Sequence, residues 1–388
     1  MLNRRTLRIK AMQSLYSFYQ CRQSDFHLAI EQIGDAFTPD LNSMEVQDPI
    51  LLKESREQAV ALFKEKYLDN PITYPSDTSN EVKKAVSEAI AFYRNQVKKD
   101  KEHMRRLMIQ EAEKIYERYL WIMQLIIELA QEEWQEYQRK VNKGSNRLIS
   151  TNFYNNKLVD VLREHEEFSK ERAQLKISWS QDAETLSGWY KDIIRPNEQF
   201  DLYRQMSNPG MEEDFDWINH LVKKIFFKHE TFVTFFEERF LNWAEDKNII
   251  RSMVTKTLKA FASEEEDHDL AELSYNWEDD REFFEDLFVH TLEHDDDFES
   301  RISAKTKNWD IDRVASIDKI MIKMALAEMM YFTSIPVKVT INEYIEISKL
   351  YSTKKSKQFI NGVLDVLSEE MKAEGLVKKS GRGLIDNK

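Results

Sequence analysis

Apolar residues at the start of the chain recur at helical spacing. Between residues 4 and 20, Leu7, Ala11, Leu15 and Phe18 follow at steps of four, four and three. That pattern predicts an amphipathic helix, with Arg4, Arg5 and Arg8 clustered at its beginning. Polar, proline-containing stretches near 38–48 and 70–80 predict loops. From about 97 to 142, Met104, Met108, Ile115, Tyr119, Ile122, Ile126 and Leu129 form one stripe of a long helix, which "NKGS" ends. More helix is expected to about 192, before "RPNEQF" and "SNPG" punctuate residues 195–210. No segment has the composition of a β-sheet, so the fold class expected is all-α.

The final third is the most regular. Val314, Ile317, Met321, Met324 and Ala325 predict the inner face of a helix running to about Phe332, with Asp310 or Asp312 as its cap. Pro336 interrupts, and "TINE" (340–343) fits a capping box in which Thr340 caps and Glu343 reaches back. In the last helix Ile360, Val363, Leu364, Leu367 and Met371 form the buried stripe. Phe359 lies off its centre with Gly362 on its flank, and Lys354, Lys355 and Lys357 stand just upstream. Two readings follow. The ring is either the edge of the core beside solvated lysines, or a stacking platform for an unpaired base whose phosphates meet the lysines and the helix N-terminus.

One internal similarity runs without a gap. Residues 215–246 align with 281–312, so that Leu221 meets Leu287, Phe232 meets Phe298, Asn242–Trp243 meets Asn308–Trp309 and Asp246 meets Asp312. Duplication would produce this match, and so would helical periodicity alone.

Charge distribution changes the picture more than charge itself. The net charge is −13 over 388 residues, which argues against nucleic-acid binding by the whole surface. Residues 1–23 nevertheless carry +5 and residues 348–388 carry +4, leaving −22 for the middle. If the two ends meet, they form one confined anion-binding surface.

Other chemistry finds little support. Gly (8) and Pro (7) are scarce, which favours helices, and the single cysteine, Cys21, excludes an intrachain disulfide and a thiolate metal cage. Cys21 has no nucleophile motif around it and reads as a partly buried helical thiol. His290 and His294 in "HTLEH" lie one helical turn apart, but no third ligand is specified, and a solvated acidic helix accounts for them. The aspartates that follow lack calcium-loop spacing. No phosphate-binding loop or dinucleotide fingerprint appears, so neither metal nor cofactor is expected. The most apolar run, "YLWIMQLIIELA" (119–130), is too short for a membrane span, and the N-terminus lacks the continuous apolar segment of a signal peptide. A soluble, cytoplasmic protein is the expectation.

The segment "IDKIMIKMALAEMMYFTSIPVKVTINEYIEISKLYSTKKSKQFINGVLD" (317–365) closely resembles the C-terminal half of the bacterial transcription antitermination factor family NusB, with "IPVKVTINEYIEISK" and "KQFINGVLD" its most specific pieces. "RRTLRIKAMQSLYSFY" (4–19) resembles that family's arginine-rich first helix, and 281–312 is compatible with its middle helices. The resemblance implies a bundle of three plus four helices and a non-enzymatic function. It implies a complex with NusE, the ribosomal protein that doubles as a transcription factor. The pair would bind boxA-type single-stranded RNA and join the RNA polymerase antitermination complex at ribosomal RNA operons. RNA contacts would come from Arg4, Arg5, Arg8 and Tyr16, with Lys355, Ser356 and Phe359, and the NusE-facing acidic residues would be Asp312 and Asp318.

The organisation expected is an arginine-rich first helix in 1–24, a helical insertion in 25–210, and a segment 211–280 that echoes 281–312. A NusB-like C-terminal region in 281–372 and a basic flexible tail in 373–388 complete it. Two alternatives stand beside this reading. One is a helical protein-interaction scaffold without RNA affinity. The other is a NusB-like accessory of RNA modification, although the catalytic domain of the related RNA cytosine methyltransferases has no counterpart here.

Overall fold

A computed structural model describes residues 1–39, 48–143, 150–263, 268–305 and 315–387. Its α-helices are α1 (Arg4–Ala36), α2 (Pro49–Lys66), α3 (Asn80–Asn142), α4 (Lys157–Glu164), α5 (Glu166–Gln174), α6 (Ala183–Trp189), α7 (Glu198–Gln205) and α8 (Met211–His220). They continue with α9 (Glu230–Arg239), α10 (Trp243–Phe261), α11 (Trp277–Glu293), α12 (Asp295–Lys305), α13 (Ser316–Tyr331), α14 (Val337–Tyr351) and α15 (Ser356–Ala373). No β-strand occurs among the described residues, so the protein is all-α. The helices fall into two compact units. A terminal unit comprises Arg5–Ile109 and Arg281–Lys388, and a central unit comprises Met1–Arg4 and Gln110–Asp280.

The terminal unit is organised around α13. Ile320, Met321, Ile322, Met324, Ala325, Leu326, Ala327 and Met329 are all buried, so this helix is enclosed on every side instead of presenting one apolar stripe. α14 and α15 pack against it and against each other. Two charged residues interrupt the apolar run, Lys323 and Glu328, and both are buried. Each is answered by an opposite charge. Lys323 Nζ lies 2.5 Å from Asp295 Oδ1, which also accepts from Tyr19 Oη at 2.6 Å, while Arg22 donates to Asp295 Oδ2 at 2.8 Å. Burial alone would push the Asp295 carboxyl up, but Lys323, Tyr19 and Arg22 outweigh it and hold it below the usual carboxylate range. The aspartates after "HTLEH" are therefore anchored at Asp295 by cations of the chain itself.

A second core lies within the same unit. Ala29 and Ile33 of α1, Leu62 and Phe63 of α2, and Val86 and Ile90 of α3 pack together. Asp48 caps α2 by accepting from the Ile50 amide at 2.9 Å, with Pro49 in the first turn. α3 begins at Asn80, well before the expected position near 97, because its early apolar residues serve this core.

Three expectations are corrected here. α14 starts directly after Pro336, so Thr340 is interior to the helix and no capping box forms at 340–343. No side chain caps α13, and Asp310, Asp312 and Val314 lie outside the described residues. The tail is docked instead of flexible: Ser380 N donates to Thr333 O at 3.0 Å and Lys379 Nζ to Phe332 O at 3.0 Å. α15 leads into it through Gly375, whose φ of +74 lets the Leu376 amide reach back to Met371 O at 2.9 Å.

The central unit has an aromatic interior. Trp179, Trp189, Phe232, Phe236 and Trp243 are buried, and the Arg239 guanidinium lies 4.0 Å above the Trp121 ring. Arg118 donates to the buried Asp246 at 2.5 Å. Displaced by 66 residues, the first and last residues of α9 fall on Asp296 and Lys305, within α12, and Met211 at the start of α8 falls on Trp277 at the start of α11. Leu221 and Leu287, and likewise Phe232 and Phe298, are buried at equivalent positions. Asn308, Trp309 and Asp312, the last of the aligned positions, lie outside the described residues.

Candidate nucleic-acid interface

The start of α1 splits its arginines between solvent and core. Arg5 is half-exposed and donates from Nε and Nη2 to the two carboxylate oxygens of Glu343 on α14, each at 2.8 Å. Arg8, one turn on, is only 3% exposed. It donates from Nε and Nη2 to Glu328 Oε2 and Oε1, both at 2.7 Å. Thr340 Oγ1 donates to Glu328 Oε1 at 2.7 Å, and the Phe283 ring lies 5.2 Å beneath the guanidinium. The expected RNA contact at Arg8 is therefore corrected. Its charge is spent inside the protein, where it fixes the register of α1 on α13. Tyr16 lies eleven residues beyond Arg5, three helical turns, so both share one face, and its side chain is 40% exposed. Arg4 is exposed as the first residue of α1 and belongs to the central unit.

The start of α15 separates the same way. Lys354, Lys355 and Lys357 are exposed, and none has a carboxylate partner among the described residues. No side chain caps this helix start. Its helix dipole therefore adds to three uncompensated cations, which makes this an anion-attracting feature of the terminal unit. Ser356 is buried, and its hydroxyl pairs with those of Ser352 and Thr353, each at 2.8 Å. The hydroxyl thus ties the turn that presents the lysines and is not offered to a ligand, which corrects its expected role. Phe359 is 6% exposed and packed into the core with Ile360 and Leu364. The open stacking face expected of its ring is absent in this state. Gly362 on the flank is exposed, and a Cβ placed there would meet nothing within 4 Å.

Within the terminal unit these features are linked along α14. Arg5 pairs with Glu343 and feels Glu346, and Glu346 pairs with Lys349, beyond which the chain enters the turn to Lys354 and Lys355. The two basic ends of the chain are thus joined through one helix. Asp318 is buried in the first turn of α13, and its Oδ1 has no hydrogen-bond partner among the described residues. It is not the open acidic face expected for a protein partner, and Asp312 lies outside the described residues.

The counterparts of the first helix are Glu328, which sequence reasoning missed, and Thr340 and Glu343, which it assigned to a helix cap. A signal for Glu328 existed: a glutamate within "IMIKMALAEMM" must be paired, because an isolated charge does not survive in such a run. Elsewhere, the His290 ring stacks on Tyr331 at 3.8 Å and His294 bonds to the Tyr331 hydroxyl. Among the described residues no cluster of three or more His, Cys, Asp or Glu could hold a metal ion. Burial, with Asp100 and Asp25 beside it, pushes the Cys21 thiol up, the opposite of what a nucleophile requires. Among the described residues no helix is long and apolar enough to cross a membrane.

Comparison with known proteins matches residues 248–369 to the NusB family model. Three relatives bear the name transcription antitermination protein NusB. That of Chloroherpeton thalassium is 42% identical over 106 residues, covering 27% of this chain and 50% of the relative. That of Salinibacter ruber is 41% identical over 105 residues, 27% of this chain and 66% of the relative. That of Bacillus pumilus is 38% identical over 92 residues, 24% of this chain and 70% of the relative. The matched segment therefore spans half to about two thirds of each relative and about a quarter of this chain. No solved structure matches the chain.

Proposed function

The chain belongs to the NusB family, and from that premise we propose that it is a transcription antitermination factor which binds boxA-type single-stranded RNA together with NusE. In this reading it acts on RNA polymerase at ribosomal RNA operons. The observation that carries the reading is the start of α15, where Lys354, Lys355 and Lys357 surround an uncapped helix N-terminus without carboxylate partners among the described residues. Phosphates gain there from three charges and from the positive end of the helix dipole together. Arg5 and Tyr16 add one cation and one ring from α1. Arg8, Ser356 and Phe359 hold that surface from beneath.

Mobility-shift titration of the full chain with a boxA-type RNA, with and without NusE, tests the proposal. Lys354→Gln, Lys355→Gln and Lys357→Gln combined should weaken binding and flatten the dependence of log affinity on log salt by about two units, since each single-strand phosphate contact contributes about 0.7. An unchanged slope would remove this helix start from the interface. Absence of any salt-dependent RNA affinity in the unaltered protein would favour the scaffold reading.

A further inference from the structure

The central unit contains an open groove of about 940 Å³ that the RNA-binding reading does not use. One wall is a face of α3, where Glu113 and Glu117 lie one turn apart. Glu171 of α5 and then Glu272 and Glu278 line the other sides. None of these five carboxylates has an ion-pair partner among the described residues, and the one lysine in the lining, Lys114, is taken by Glu111 at 2.7 Å. Arg118, Arg163, Arg204 and Arg239 of the same unit pair with carboxylates elsewhere, and none of them lines the groove.

Aromatic rings stand among these charges. Tyr275 is 86% exposed, while Tyr116 and Trp277 are half-buried beside it. The exposure of Tyr275 is imposed by the backbone around it. Leu273 O accepts from the Leu2 amide at 2.8 Å, Ser274 Oγ donates to Asp280 Oδ2 at 2.5 Å, and the Asn276 amide donates to Ser274 Oγ at 3.2 Å. The residues on both sides are tied down, so the backbone that carries the ring into solvent is anchored. A large exposed aromatic on an anchored backbone is the residue type enriched at the centres of protein interfaces.

We infer that this groove is a docking site for an extended, lysine- and arginine-rich segment of a second protein. The charge of the lining selects a cation and repels RNA phosphates. The rings offer faces on which guanidinium or ammonium groups gain further attraction. Spacing favours an extended peptide over a compact cation. Carboxylates one helical turn apart are separated by about 6 Å along the axis, close to the roughly 6.6 Å between same-side residues of an extended chain. The contact is distinct in charge from the α15 surface, so RNA and this protein partner are read by different parts of the molecule.

The test uses the full-length protein and a fluorescein-labelled peptide of about ten residues of alternating arginine and glycine, followed by anisotropy at low salt. A peptide with glutamate in place of arginine serves as the control. Binding of the arginine peptide alone is expected. It should weaken about tenfold in Tyr275→Ala, and at least as much in the combined Glu113→Gln, Glu117→Gln, Glu272→Gln variant. A variant neutralising three exposed glutamates of the terminal unit, Glu31, Glu54 and Glu81, should bind as the parent does. Circular dichroism verifies that each variant is folded, and Tyr275→Ser repeats the ring test if Tyr275→Ala is not. Equal weakening in the terminal-unit control, indifference to loss of the Tyr275 ring, or displacement by spermine as readily as by peptide would each overturn the assignment in favour of diffuse counter-ion attraction.

Discussion

Arg8 and Glu328, 320 residues apart in the chain, join through two parallel hydrogen bonds of 2.7 Å inside the terminal unit, and Thr340 completes the carboxylate's shell. Geometry of this quality is what a buried ion pair needs to offset the loss of water from both charges. Removing one partner leaves the other charged and uncompensated. Arg8→Ala should therefore cost about 3–5 kcal/mol of stability. Arg5→Ala, which breaks a similar but half-exposed pair with Glu343, should cost no more than about 1 kcal/mol. Urea denaturation of the two variants measures the difference, and comparable losses would contradict the division of labour drawn between the two arginines.

How much of this was legible beforehand follows from where the partners come from. Leu7, Ala11, Leu15 and Phe18 are all buried as their spacing predicts, because helical periodicity is a local property. Arg8 was legible as a basic residue near a helix start but not as a core residue, since its partner arrives from a helix hundreds of residues away. Thr340 and Glu343 have the spacing of a cap, yet Pro336 had already begun the helix, and tertiary partners claimed both side chains. Phe359 failed for a related reason. A helical wheel places it at the margin of the stripe, but whether a margin is covered depends on neighbouring elements the wheel does not contain. The lysines before α15 were legible, because exposed cations need no distant partner to be recognised.

Gly362 separates stability from binding. It is exposed in the second turn of α15, and a Cβ there would touch nothing, so Gly362→Ala should stabilise the protein by up to about 1 kcal/mol. If RNA approaches this flank closely, the same methyl group should lower RNA affinity while the melting temperature rises. Calorimetry beside a mobility-shift titration reads both. A variant that is more stable with RNA affinity unchanged would place the RNA on the lysines alone.

Acid dependence should come in part from Asp25. This buried carboxyl on α1 is raised to about 6 by burial and by the neighbouring charge of Asp100, with which it shares a hydrogen bond. Between the ordinary aspartate value and about 6 the folded state binds more protons than the unfolded one, so this contribution to stability is lost as pH rises through that window and is gone above about 6. The full effect is at most about 3 kcal/mol. Asp25→Asn should be more stable than the parent at pH 8, by an amount that shrinks toward pH 4.5, and flatter between. A parent protein that loses stability on going from pH 7 to pH 5 by an amount abolished in this variant would reverse the sign of the assignment.

Gly383 holds the docked tail by having no side chain. A Cβ at this position would lie 2.0 Å from Thr333 O, far inside contact distance, and a backbone oxygen has no rotamer by which to withdraw. Thr333 O is also the acceptor for the Ser380 amide, and Lys379 Nζ bonds to the neighbouring Phe332 O. Any displacement of Gly383 must therefore loosen the bonds that close the end of α13. Gly383→Ala should expose the Ser380 amide to hydrogen exchange and make residues after Gly375 susceptible to proteolysis. Helical content should stay the same, because α15 terminates at its own glycine before the docked segment begins. Exchange at Ser380 equal to that of the parent would mean that the tail is held elsewhere.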